Sequence, residues 1–271
     1  MPEIEITDPH DVRLAQYRTI GEAELVRRRG FFVAEGRLVV RRLLEDSRHH
    51  VHSLLLNRSA RDALADLLPR WIDRIPIYTC RTGDFLIVTG FDIHRGCLAL
   101  AERPVEPSWP SVTAAARITV VLEGVANADN VGGVFRNAAA FGADAVLLSP
   151  ACCDPLYRKA VRTSMAATLR VPFARLEPWP DALNALRGEG FAIVAFTPDP
   201  SARTIGEFAR QAPTGRLALL FGSEGIGLTG GAQALADECV RIPIRQAVDS
   251  LNLAVASGIA LSWLTSADLL A

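Results

Sequence analysis

Residues 118–149 read ITVVLEGVANADNVGGVFRNAAAFGADAVLLS. ITVVLE (118–123) is an apolar, β-branched run of the kind found in strands buried on both faces. A polar, glycine-bearing loop follows, Asn127 to Gly133. Val134 to Phe141 then predicts a helix, with Gly142 placed to stop it in a left-handed conformation. DAVLLS (144–149) is a second strand. Parallel strands need a crossover of this length, so the stretch reads as a βαβ unit.

Working outward, FAIVAF (191–196), LALLFG (217–222) and CVRIPI (239–244) are three more short apolar runs, with helical patterns between them. Strands alternating with helices predict an α/β domain: a mostly parallel sheet covered on both faces. Upstream, RPVEPSWPSVTA (103–114) holds Pro104, Pro107 and Pro110. Proline blocks helix interiors and sheet ladders, so 105–114 reads as a linker between domains at 1–104 and 115–271. In the first domain Thr7-Asp8-Pro9 resembles a helix start. Leu38, Val39, Val40, Leu43 and Leu44 form a helix face after Gly36. VHSLLL (51–56), IPIY ending at Tyr78, and CLALAE (97–102) read as strands, and Ser59 as the cap of a helix reaching about Leu68. The expectation is a small α/β/α domain.

The 271 residues carry a formal net charge of −1 and are 49% hydrophobic. That suffices for real cores and excludes a protein that coats polyanions with its whole surface. A local basic patch still suffices for RNA. Lys159 is the only lysine, and arginine's planar fork suits phosphate. Arg27, Arg28, Arg29, Arg37, Arg41 and Arg42 form the densest basic cluster, readable as a solvated helix face or as an RNA contact. The five cysteines have no zinc spacing, so reduced thiols and no metal are expected. The polar N-terminus predicts no signal peptide. Leu251 to Leu264 is too short and too rich in Ser and Asn to span a bilayer. A cytoplasmic protein without membrane contact is the expectation.

Ligands of open α/β sheets sit beyond the carboxyl ends of strands, and three such loops carry the chemistry-bearing residues. In NADNVGGVFRNA (127–138), Asn130, Gly132 and Gly133 sit where strand hands over to helix, and Arg136 follows about a turn later. The glycines serve either an anionic ligand or close helix packing. A dinucleotide fingerprint is absent. FGSEGIGLTGG (221–231) sets Glu224 among five glycines, which are unfavourable unless backbone approaches something closely. In IPIRQAVDSLNLAVASGIALSWL (242–264), Ser250 reads as the helix cap and Asn252 lies in the first turn. Ala254, Ala256, Ser257 and Gly258 permit close helix contact, which makes a dimer interface plausible.

Taken together and in order, NVGGVFRNAAAFGA, LLFGSEGIGL and SLNLAVASGIAL resemble the three motifs of the SpoU (TrmH-like) branch of the SPOUT RNA methyltransferases, over about 117–265. Leu253 and Ala254 depart mildly from the family's frequent Val and Ser. Arg28 to Gly36, with its Phe-x-x-Glu-Gly ending, resembles the family's substrate-binding domain, which is similar to ribosomal protein L30e. The resemblance implies a deep trefoil knot in the C-terminal domain, a homodimer through that domain, and S-adenosyl-L-methionine as methyl donor to a ribose 2′-hydroxyl of RNA, with ribosomal RNA first and transfer RNA second. It implies that Arg136 is the central catalytic residue, oriented by Glu224, with Asn252, Ser250 and Asn130 completing the acceptor site. Arginine resists deprotonation, so Arg136 is expected to hold phosphate and stabilise charge on the 2′-oxygen rather than act as a base. Thr197, Pro198, Gly222, Ser223, Gly225, Ile242, Ser250 and Leu251 are the expected cofactor contacts. Arg28, Arg29, Arg37 and Arg41 are the expected RNA contacts. Two other readings stay open: a nucleotide-binding oxidoreductase, and an RNA-binding or ribosome-assembly protein of the same fold without transfer.

Overall fold

The computed structural model describes every residue except 1–2, 19–22, 47, 91–92, 94–95, 212–214, 246–247 and 270–271, and the side chains of 266–269. The chain divides into two units.

The first unit comprises residues 1–105 and an excursion, 156–169, from the second half of the chain. Its strands are β1 (Ile4–Glu5), β2 (Phe31–Glu35), β3 (Val51–Leu56), β4 (Ile77–Thr79) and β5 (Cys97–Glu102), in the order β1-β4-β3-β5-β2. The β1, β4 and β3 strands pair parallel, whereas β5 is antiparallel to both β3 and β2. Helix α1 (Arg37–Glu45) buries Val39, Val40, Leu43 and Leu44, while Leu38 stays exposed. Helix α2 (Arg58–Ala63) is capped by Asn57, whose side chain accepts from the Ala60 N–H. Ser59 lies one residue inside α2 and accepts from Arg37, so it is not the cap. No α-helix starts at Thr7. Asp8 closes a turn onto the His10 N–H, and Asp11 caps a 3-10 turn over Val12–Tyr17. Helix α3 (Asp84–Thr89) completes the first stretch.

The second unit holds a seven-stranded, all-parallel sheet. In chain order its elements are α4 (Trp109–Thr113), β6 (Ile118–Glu123), α5 (Ala128–Phe141), β7 (Ala145–Leu148), β8 (Phe173–Arg175), α7 (Ala182–Gly188), β9 (Phe191–Phe196), β10 (Arg203–Thr204), α8 (Ile205–Arg210), β11 (Arg216–Gly222), α9 (Gly230–Ala234), β12 (Glu238–Arg241) and α10 (Leu253–Leu269); α6 (Arg158–Thr163) belongs to the excursion. The strand order is β10-β12-β9-β11-β6-β7-β8. Central β6 is buried along its length and β11 from Leu217 to Phe221, and both are mostly apolar, as the sequence predicts. The CVRIPI strand stops at Arg241, two residues before Pro243, which has no N–H to donate to a ladder.

Two local expectations are corrected. Residues 109–113 of the supposed linker form α4, because Pro110 falls in the helix's first turn, where a missing N–H costs nothing. Trp109 and Val112 pack onto the sheet's core. The loop expected at 128–133 is helix. Asn127 caps it by accepting from the Asp129 N–H, and α5 runs unbroken to Gly142.

The excursion is held to the first unit by polar clamps. Glu35, at the end of β2 and buried, accepts from Arg158 and Arg162. Arg42 donates to the Met165 carbonyl and His49 contacts the Leu169 carbonyl. Removing one partner of a buried ion pair leaves the other desolvated. Glu35→Ala is therefore expected to lower the urea-unfolding free energy by about 2 kcal/mol, and Glu35→Gln by less; an unchanged midpoint would show that the clamp adds nothing.

Candidate active site

Three strand ends of the second unit meet on one amide side chain. β6 leads into α5, which carries Asn130 in its first turn, buried. β11 leads into the glycine loop bearing Glu224. The chain after β12 leads to Asn252, just before α10. Asn252 Nδ2 donates to Asn130 Oδ1 and to Glu224 Oε1, both at 2.9 Å. Its Oδ1 accepts from the Ala254 N–H at 2.9 Å and the Val255 N–H at 3.3 Å. Asn252, not Ser250, is therefore the residue that caps α10; Ser250 lies two positions upstream, exposed.

The two helices of this junction touch closely. A Cβ on Gly133 would lie 2.5 Å from the Ala254 Cβ, so the contact requires glycine. Asn137 Nδ2 donates to the Ala254 carbonyl and, at 3.0 Å, to Ser257 Oγ. Of the two readings of the first glycine loop, helix packing is the one the structure shows at Gly133. In the second loop, a Cβ on Gly222 would overlap the Gly227 carbonyl. The loop folds back on itself there, with a bridge between Ser223 and Gly227.

Beside this junction lies a cleft of about 480 Å³, within the size range of small-molecule sites. All eight expected cofactor contacts line it: Thr197, Pro198, Gly222, Ser223, Gly225, Ile242, Ser250 and Leu251. Glu224 lines it too, whereas Asn130 and Asn252 are not part of the lining. Sequence reading missed Phe196 and Phe221, stacked at 4.6 Å between centroids at the ends of β9 and β11, as well as Gln233, Ile244 and Asp249. The two phenylalanines close apolar strand runs, and that position was their one available signal.

Arg136 sits on α5, exposed, and is not part of the lining. Among the described residues Glu224 pairs with Asn252 and no bond between Glu224 and Arg136 is present. The expected RNA contacts differ among themselves. Arg28 and Arg29 are exposed, 3.7 and 3.6 Å from Glu24. Arg37 donates to Ser59. Arg41 is engaged by both oxygens of Asp66 at 2.7 and 2.8 Å and by the Ala63 carbonyl. The Arg41 guanidinium holds the Asp66 carboxyl down at about 2, so this arginine's fork is already occupied. The five cysteines are free thiols, and burial pushes Cys80 and Cys97 up to about 12. No helix among the described residues is long and apolar enough to cross a membrane, and no cluster of His, Cys, Asp and Glu that could hold a metal occurs among them.

The SpoU rRNA Methylase family model matches residues 117–262, more than half of the chain. The chain belongs to that family. It is 39% identical over 260 residues to an uncharacterized tRNA/rRNA methyltransferase of Mycobacterium tuberculosis, covering 94% of this chain and 89% of that protein. It is 30% identical over 147 residues to the 23S rRNA (guanosine-2′-O-)-methyltransferase RlmB of Vibrio vulnificus, 54% of this chain and 58% of that one. It shares the fold of the SpoU methyltransferase AviRb of Streptomyces viridochromogenes, solved in complex with the cofactor AdoMet, with a TM-score of 0.80 at 21% identity over 96% of this chain and 100% of that one.

The Asn252 junction can be dissected by substitution. Asn252→Ala removes the α10 cap and both bridging donors, and is expected to lower the unfolding free energy by about 1 kcal/mol or slightly more. Asn252→Asp keeps the cap but sets a carboxylate against Glu224. Its deficit should shrink as pH falls through the carboxylate range, a recovery that urea titrations at several pH values would detect; a pH-independent deficit would contradict the bridge.

Proposed function

We infer that this chain transfers a methyl group from S-adenosyl-L-methionine to a ribose 2′-hydroxyl of RNA, with ribosomal RNA as the substrate. The observation that carries this reading is the junction of Asn130, Glu224 and Asn252, drawn from three strand ends, beside a cleft lined by all eight expected cofactor contacts. Family membership supports methyl transfer to RNA. The ribose hydroxyl as acceptor is supported by the RlmB relative, and the cofactor by the AdoMet-bound AviRb structure. Transfer RNA is the second reading, favoured by the description of the mycobacterial relative as a tRNA/rRNA methyltransferase. A cytoplasmic location is part of the same reading.

The cleft fits such a cofactor. Its walls include the apolar side chains of Ile242, Ile244 and Leu251, suited to the faces of a purine, and its glycine loop presents backbone rather than side chains at Gly222 and Gly225. Bound S-adenosyl-L-methionine supplies an activated methyl group on a sulfonium, and no metal takes part. What the protein must add is position and charge. Lining up acceptor oxygen, methyl carbon and sulfur is itself a large share of the rate enhancement. Arg136 holds the RNA phosphate and stabilises negative charge on the 2′-oxygen. Asn130 and Asn252 fix the margin of the site where the acceptor enters, and Glu224 orients Asn252.

Arg136 lies outside the lining of its own chain's cleft. A homodimer through the second unit, in which a second copy brings its α5 to this cleft, is the assembly that completes the site. Ile226, Val255 and Trp263, all at least half exposed around the cleft and on α10, support that face. Two finer features belong to the same reading. One is a trefoil knot, supported by the return of the chain from β12, past the β11 loop, to pack α10 against α5. The other is an L30e-like first unit, supported by its mixed sheet and flanking helices.

Two measurements test this reading. Incorporation of tritiated methyl from labelled cofactor into total RNA, followed by mapping of ribose methylation, decides the activity and separates it from a transfer-inactive RNA-binding protein. Arg136→Ala should reduce incorporation by at least a hundredfold while S-adenosylhomocysteine binding by calorimetry stays within about twofold; a near-wild-type rate sinks the role of Arg136. Equilibrium sedimentation should give twice the chain mass, and a monomer that transfers methyl groups would overturn the shared site.

A further inference from the structure

The buried carboxylate of Glu123 is outside the cleft's lining, and nothing in the reaction above uses it. Glu123 is the last residue of β6 and 5% exposed. Three donors converge on its two oxygens. Trp179 Nε1 and Thr229 Oγ1 each donate to Oε1 at 2.7 Å, and the Thr229 N–H donates to Oε2 at 2.8 Å. A carboxylate in this position stays buried only because these bonds replace its water.

Its place in the sheet gives the arrangement a purpose. Glu123 pairs in register with Gly222, the first residue of the glycine loop. Thr229 is the residue where that loop ends, and its side chain caps α9 by accepting from the Ala232 N–H. One side chain thus reaches from beside the loop's first foot to grip its second. Between the feet lie Ser223, Glu224, Gly225 and Ile226, all lining the cleft. The loop's other ties are the Gly227 N–H donating to the Ser223 carbonyl at 2.9 Å, Gln233 Nε2 donating to the Leu228 carbonyl at 3.1 Å, and the Asn252 bond to Glu224. Glycine-rich backbone has a high conformational entropy to lose, so a further tie that holds the loop's two feet narrows the shapes it can take.

We propose that Glu123 is a positioning residue: by holding Thr229 it fixes the spacing of the two feet of loop 222–229, and so the shape of the cofactor-facing wall. The inference rests on the cofactor reading given above. Glu123 acts through Thr229 and touches no reacting atom. Glu123→Gln is the informative change, because it keeps the volume and replaces one accepting oxygen with a donor that faces the donors of Thr229 or Trp179.

The test pairs amide hydrogen exchange of 223–228 in the cofactor-free protein with calorimetric binding of S-adenosylhomocysteine. Glu123→Gln and Thr229→Val should each speed exchange across 223–228, and Glu123→Gln should weaken binding roughly tenfold, the scale of one hydrogen bond to a charged group. Thr229→Ser, which keeps both donors, should restore both readouts to wild type. Trp179→Phe, which leaves both Thr229 bonds in place, should move binding less than about twofold. Unchanged exchange in both Glu123→Gln and Thr229→Val overturns the clamp. Faster exchange with unchanged binding overturns the positioning role and leaves only a contribution to folding. If Glu123→Gln does not fold, Thr229→Val decides: faster exchange across 223–228 supports the clamp, whereas faster exchange confined to α9, whose cap it also removes, overturns it. A wild-type protein that binds no S-adenosylhomocysteine would sink the cofactor reading, and the exchange data would still decide the clamp.

Discussion

The Asn252 side chain carries a constraint on which the second unit's chemistry depends. α10 is apolar around nearly its whole circumference, from Leu253 through Ile259 to Trp263. Such a helix has no strong preference for one rotation about its axis, since burial is non-directional. Directional bonds must set its register. Asn252 supplies them at the helix start, by capping α10 with its oxygen and tying α5 and the glycine loop with its nitrogen. Asn137 supplies a second pair one turn along, at Ala254 and Ser257. A polar contact that specifies register is a well-attested use of such groups; here buried Asn130 meets exposed Asn252, and the same contacts assemble the candidate acceptor site.

Much of this was legible in the sequence, for a physical reason that differs from element to element. Strands β6, β9 and β11 are buried on both faces, and their continuous apolar runs leave little ambiguity. The short edge strands β8 and β10, three and two residues long, leave no such trace. Gly132 and Gly133 looked like a loop because glycine disfavours helices, yet the helix continues through them because tertiary contact outweighs propensity; the Ala254 methyl needs the space. Ser250 looked like the cap because Ser is a good one, but Asn252 is equally good, and beside its capping oxygen its amide has two N–H donors, one for Asn130 and one for Glu224. The excursion 156–169 was invisible. Arg158 lies 123 residues from Glu35 in sequence, and local pattern carries no information about partners so far apart.

The arginines show where composition misleads. Six of them crowd 27–42, and count alone suggests a phosphate-binding face. Geometry separates them: Arg41 gives two donors to Asp66 and one to the Ala63 carbonyl, Arg42 gives one to the Met165 carbonyl, and Arg37 one to Ser59. A guanidinium whose donors are already matched by a carboxylate gains little from exchanging it for a phosphate, because one charge-assisted pair replaces another. Arg28 and Arg29, 3.6–3.7 Å from Glu24 at an exposed position, lose far less, since such surface pairs contribute at most about 1 kcal/mol.

The same separation applies to the glycines, and it fixes how the site divides its work. Gly133 and Gly222 are required by contacts of the protein with itself, to Ala254 and to Gly227, so glycine density is not by itself a measure of ligand contact. What the packing leaves facing the cleft is backbone, apolar side chains and a few polar ones, Glu224 and Asp249 among them, a wall able to hold a flat heterocycle but with no cation to offer a reacting oxygen. The charged groups of the lining are carboxylates, whereas Arg136 sits on the exposed side of α5, outside the lining. A wall that binds and a separate cation form an arrangement in which cofactor affinity and transfer can be lost independently.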